Sequence, residues 1–209
     1  MSKERKNKWI KTRDGTDEEL MSLADEALTY FEATAKLLDI FTKSVKDLAL
    51  DEKKNAYCKA ARGARAFADG MRNSERSAFG KAGDTFDKLA NIGKDYNRNV
   101  HSSVISKIFS FKEVECKEID NKMTLLRKNQ AELENKRKKA AKDENMKSMA
   151  ETLEEAMKKS IDDAKVALRK FIESAIATLN TIADEAVKIN EKYCSESNAA
   201  FGKTIFVEN

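Results

Sequence analysis

The chain of 209 residues contains one histidine, three cysteines and no proline. His101 stands between Val100 and Ser102, with no acid or nucleophile at a spacing that would make it a base. A single imidazole cannot supply the two Glu-x-x-His pairs of a di-iron bundle. Cys58, Cys116 and Cys194 show no Cys-x-x-Cys spacing, which argues against a zinc site or a disulfide framework and for reduced thiols. Gly80 and Gly83 form neither a P-loop nor a dinucleotide fingerprint; they fall in a helical stripe, where small residues let two helices approach closely. No nucleophile elbow occurs. The residues point to a protein that is not an enzyme and has no catalytic, cofactor or metal site, so its surface must do the work.

That surface carries positive charge in clusters. From Lys136 to Lys147 there are six cations, Lys136, Arg137, Lys138, Lys139, Lys142 and Lys147, against Asp143 and Glu144. Arg127 and Lys128 precede them, and Lys158 and Lys159 follow. An anionic bilayer attracts such residues at about 1 kcal/mol each; the alternative is a solvated helical tip, which charge runs often are. Basic residues are not interleaved with aromatics, so nucleic acid is not an expected partner. A second cluster opens the chain. Lys3, Arg5, Lys6, Lys8 and Lys11 surround Trp9 and Ile10, and tryptophan favours a bilayer interface. An apolar face of only Trp9 and Ile10 is narrow for insertion, and a disordered basic tail is the competing reading.

The elements that must position these residues are helices. Charged residues make up 36% and apolar ones 41%, and only seven glycines occur; such a composition with a 3.5/3.6 period marks long helices and coiled coils. Three blocks emerge. The first starts at an N-cap at Thr16, with Asp17, Glu18 and Glu19 behind it, and carries Leu20, Ala24, Ala27, Phe31, Ala35, Leu38, Phe41, Val45 and Leu48 at steps of three and four. Residues 51–55 break it, and a short helix follows to Gly70. The second runs from about Ser74 to Lys139, about 100 Å of helix. Its apolar face widens at Val104, Ile105, Ile108, Phe109 and Phe111, which predicts a dimer interface there. The third starts after a polar turn at 142–145 and is expected to end near Glu196. Short connections predict an antiparallel, elongated three-helix coiled coil over 16–201, with a basic segment at 1–15 and a tail at 202–209. No apolar run is long enough to span a membrane, and the expected location is the cytoplasm.

Phe79-Gly-Lys-Ala-Gly-Asp-Thr-Phe-Asp-Lys-Leu-Ala, Tyr96-Asn-Arg-Asn-Val and Val104-Ile-Ser-Lys-Ile-Phe-Ser-Phe-Lys-Glu-Val, followed by basic stretches at 121–128 and 136–139, resemble helix two of a BAR domain. The resemblance covers about Thr16 to Phe201. It implies an all-α homodimer, a curved six-helix module that binds anionic membranes peripherally and senses or induces their curvature. It also implies that Lys6, Lys8, Trp9 and Ile10 act as an N-terminal wedge. The competing expectation is a coiled-coil scaffold for another protein, such as a small GTPase.

Overall fold

The computed structural model describes Trp9 and residues 17–71, 73–140 and 145–205. Four helices make up nearly all of it: α1 (Glu18–Ser44), α2 (Ala56–Asp69), α3 (residues 73–140) and α4 (Asn145–Ile205). No strand occurs among the described residues. The all-helical class, and the order of long helix, short helix and two long helices, agree with the periodicity. The chain divides into two compact units, and the division falls inside α1, α3 and α4. Unit 1 holds the chain up to Lys36 and Phe109–Leu179; unit 2 holds Leu37–Ile108 and Asn180–Asn209.

Unit 1 is built on one apolar cluster. Leu20, Ala24, Ala27, Leu28 and Phe31 of α1 meet Phe111, Cys116, Ile119, Met123, Leu126 and Leu133 of α3. Met157, Ala164, Leu168, Phe171 and Ala175 of α4 complete it. Glu115 accepts from Ser174, and Arg137 pairs with Glu154; partners that descend α4 as α3 ascends make these two segments antiparallel. α1 is capped by Asp17, whose Oδ1 accepts from the Leu20 N–H at 2.9 Å. Thr16, the expected cap, lies outside the described residues.

Unit 2 contains the break between α1 and α2. A short 3-10 turn at Lys46–Leu48 closes the first segment, and two buried asparagines hold the irregular backbone. Asn97 Nδ2 donates to the carbonyls of Val45 (3.0 Å) and Leu48 (3.1 Å). Asn55 caps α2 by accepting from the N–H groups of Tyr57 (2.9 Å) and Cys58 (3.2 Å), and it donates to Ala49 O. Gly93 lets Leu48 approach: a Cβ there would stand 3.0 Å from Leu48 Cδ2. Gly83 likewise lies under Arg65 of α2, whose Cγ would be 2.9 Å from an added Cβ. The close approach expected of the small residues therefore holds at Gly83; at Gly80 nothing lies within 4 Å.

α3 departs from ideal α-helix twice, in π-helical turns at Val100–Ile105 and Lys112–Cys116. Buried residues step by four and three through Val100, Val104, Ile108 and Phe111, then by five to Cys116, then regularly through Ile119, Met123 and Leu126. In a straight α-helix five residues turn the side chain well away from its starting direction. The second π turn absorbs the extra residue and returns Cys116 to the core, leaving Val114 61% exposed. At the other terminus, α4 runs through Gly202 to Ile205, past the stop expected near Glu196. One helical glycine costs only about 1 kcal/mol, and no proline intervenes.

Candidate functional site

The end of α3 carries the basic cluster into solvent. Arg137, Lys138 and Lys139 are exposed and Lys136 is half-buried. Their place in the last turn suits the negative end of the helix dipole. Lys136 pairs with Glu132 at 3.4 Å, and Arg137 with Glu154 at 2.7 Å. Lys138 and Lys139 enter no ion pair among the described residues, and neither do the exposed Lys158 and Lys159 of α4. Lys128 is exposed and Arg127 half-buried. The register set by Glu115 with Ser174 and Arg137 with Glu154 places 127 and 128 opposite residues 161–164, which include the exposed acids Asp162 and Asp163. Lys158 and Lys159 lie about one turn nearer the end of the hairpin. Lys142 lies outside the described residues, and Lys147 is described only as helical backbone.

Trp9 is fully buried in unit 1. Its ring meets Phe31 edge to face, with centroids 5.2 Å apart, and its indole N–H donates to Asp120 Oδ1 at 2.6 Å. A tryptophan so placed fills the core and satisfies its polar handle there, so in this conformation it is not a wedge. Lys6, Lys8 and Ile10 lie outside the described residues.

The expected dimer-interface residues divide. Val104 and Ile108 are wholly buried in unit 2, and Phe111 stacks on Phe171 in unit 1 with centroids 5.7 Å apart. All three are core positions of a single chain. The widening of the apolar face that suggested a second copy there is carried by Ile105 and Phe109, which lie beside the buried Val104 and Ile108 on the helix. Ile105 is half-buried, and Phe109 alone stands out, at 53% exposure. By contrast Phe67 and Phe79 are 53% and 37% exposed.

His101 is exposed in the first π turn. Among the described residues no group of three or more His, Cys, Asp or Glu side chains could hold a metal ion, and no helix is long and apolar enough to cross a membrane. A cleft of about 280 Å³ in unit 1 sets Glu115 and Glu118 over Ile119 and Phe171. Ser174 occupies the first carboxylate and Lys122 the second. In unit 2 a polar cleft of about 390 Å³ holds Cys58 with Arg62, Arg65, Lys94, Glu52 and Asp87. Two of its three cations are in ion pairs, Lys94 with Glu52 and Arg65 with Asp84 and Asp87, and Arg62 donates to the Glu52 backbone carbonyl at 3.3 Å. Tyr193 lies 3.5 Å from Tyr57 hydroxyl to hydroxyl, and its ring packs on Tyr96 with centroids 4.7 Å apart. Burial, then the Tyr57 hydroxyl, push the Tyr193 phenol up to about 12, so it stays protonated. Tyr96 donates to Asn190 Oδ1 at 2.9 Å.

Compared with models of protein families and with curated proteins, the chain matches none.

Proposed function

We propose that this protein is a peripheral membrane module of BAR type, which binds anionic bilayers as a homodimer and acts on their curvature. The observation that carries the reading is the end of α3, where Lys138 and Lys139 are exposed and unpaired among the described residues. Lys158 and Lys159 on α4 add two more exposed cations in the same unit. Each cation near an anionic surface contributes about 1 kcal/mol, and a second copy multiplies the effect through avidity. For the second copy, the supporting feature is exposed apolar surface in unit 2, at Ile40, Val187 and Phe201.

The test is cosedimentation with vesicles of phosphatidylcholine with and without phosphatidylserine. Binding should require the anionic lipid and fall steeply with salt. Replacing Lys136, Arg137, Lys138 and Lys139 by Glu should weaken it at least about a hundredfold. Unaltered binding by that variant would overturn the assignment of the cluster. Equilibrium sedimentation should return twice the chain mass.

The second reading is a scaffold for another protein, such as a small GTPase. Exposed Val114, Val166 and Ile176 in unit 1 favour it. It would take precedence if the purified chain ignored anionic vesicles altogether.

A further inference from the structure

Outside the basic end of α3, the most conspicuous feature is an aromatic pair in unit 2. Phe67, near the end of α2, and Phe79, in the first turns of α3, meet edge to face with centroids 4.8 Å apart, yet are 53% and 37% exposed. They flank the connection between α2 and α3. The half-buried Met71 is on this connection. Phe67 keeps about half of its surface open and Phe79 about a third. Ala66 and Ala78 are exposed beside them, and a Cβ added at Gly63 or Gly80 would meet nothing within 4 Å. The small residues leave the outer edges of both rings open to solvent.

The charge of this hairpin indicates what could receive them. Residues 56–83 contain six Lys or Arg against two acids, Asp69 and Glu75. The next acids, Asp84 and Asp87, are occupied by Arg65. Arg76, three residues before Phe79 and therefore on its side of α3, is 61% exposed and only loosely paired with Asp69 at 3.8 Å. Lys59 and Lys81 are exposed and in no ion pair among the described residues. Two protruding rings on a cationic turn form a small apolar tip with a basic collar, rather than a groove that would seat a helix. Aromatic rings enter the interfacial layer while the cations meet lipid phosphates. We infer that the α2–α3 turn is a second membrane contact, in which Phe67 and Phe79 insert into an anionic bilayer. The inference rests on the membrane reading above but on different residues in a different unit.

The experiment compares four proteins on the same phosphatidylserine-containing vesicles: the wild type, the α3 charge-reversal variant, F67S/F79S and F67L/F79L. The expected result is about tenfold weaker partitioning for F67S/F79S and less than about twofold for F67L/F79L, since leucine keeps the apolar area. Circular dichroism should stay unchanged, both rings being largely outside the core. If F67S/F79S binds like wild type while the charge-reversal variant does not, this inference fails and the membrane reading stands. If the wild type itself does not bind, both fail. If F67S/F79S instead halves the sedimenting mass at unchanged vesicle affinity, the rings seat a second copy and the bilayer assignment is overturned.

Discussion

Units 1 and 2 are assembled from the same three long helices, yet they solve different problems. Unit 1 has one apolar cluster for its core, aromatic contacts join Trp9, Phe31, Phe171 and Phe111 in sequence, and its one described irregularity is the π turn at Lys112–Cys116. Unit 2 must accommodate a chain break between α1 and α2, and it does so with buried polar groups. Asn55 and Asn97 satisfy backbone atoms that no helix satisfies. Thr85 is also buried, its hydroxyl bonded to Lys81 O. Unit 1 is held by one apolar cluster; unit 2, with an apolar core of its own at Leu89, Val100, Val104, Ile108 and Ile182, adds directed hydrogen bonds around an irregularity. The aromatic side chains follow the same division, with a buried set in unit 1 and the half-exposed pair Phe67 and Phe79 in unit 2.

The contrast is most easily broken at the aromatics. Trp9→Ala should destabilise the protein by about 3–5 kcal/mol, because it leaves a large cavity against Phe31. F67S/F79S should change stability by under about 1 kcal/mol, as exposed substitutions do. Urea denaturation followed by circular dichroism measures both. Equal losses would mean that the two aromatic groups are alike in their burial. Because Trp9 is the only tryptophan, its emission reports on unit 1 directly. It should be blue-shifted and poorly quenched by iodide in the folded protein, and it should stay so when anionic vesicles are added. A Trp9 that becomes quenchable by brominated lipid would restore the wedge.

Trp9 also shows where the sequence was legible and where it was not. Steps of three and four along α1 and α4 located both helices and nearly all of their buried residues, since helical burial writes itself into spacing. The role of Trp9 depends on residues more than 100 positions away, Asp120 among them, and no local pattern carries that information. The interface expected at Val104, Ile108 and Phe111 went astray for a different reason. Spacing shows that an apolar face needs cover but not whether the chain's own helices or a second copy supply it, and here all three residues are buried within the chain. Lys138 and Lys139 were legible as exposed because a dense basic run has no other place to go.

Next in expected size is the polar device of unit 2. Asn97→Ala removes donors to two carbonyls, of Val45 and Leu48, one of them fully buried. Leaving such acceptors unsatisfied costs about 1–3 kcal/mol. Asn55→Ala removes a helix cap and should cost about 1–2 kcal/mol. The sharper measurement is hydrogen exchange. Amides of the Lys46–Leu48 turn and the first turn of α2 should lose protection in these variants, while those around Leu168 in unit 1 should keep theirs. Uniform loss across both units would remove the distinction between a directed and an apolar core.

The smallest effect distinguishes the two units by pH. In unit 1, Lys165 reaches Asp17 at 2.6 Å and Glu19 at 3.0 Å, and Arg169 also holds Glu19. The Lys165 hydrogen bond, foremost among the causes, holds the Asp17 carboxyl below its ordinary value of 3.8 and that of Glu19 below 4.5; Arg169 adds to the second. Asp17, then Glu19, raise the Lys165 ammonium above 10.5. Carboxyls depressed in the folded state stabilise it fully above their ordinary range and lose that contribution as pH falls through their lowered values. A raised lysine stabilises below its ordinary value and loses the contribution as pH climbs through the raised one. The clamp is therefore complete from about pH 5 to 10 and weakens outside that window. Glu19 and Arg169 are exposed, and Asp17 and Lys165 are half-buried at the surface, so the effect is small and screened by salt. Replacing Asp17 and Glu19 by Asn and Gln should flatten the acid limb of the stability profile below pH 5 while leaving neutral stability nearly unchanged. An unchanged acid limb in that variant would mean that the α1–α4 clamp contributes nothing.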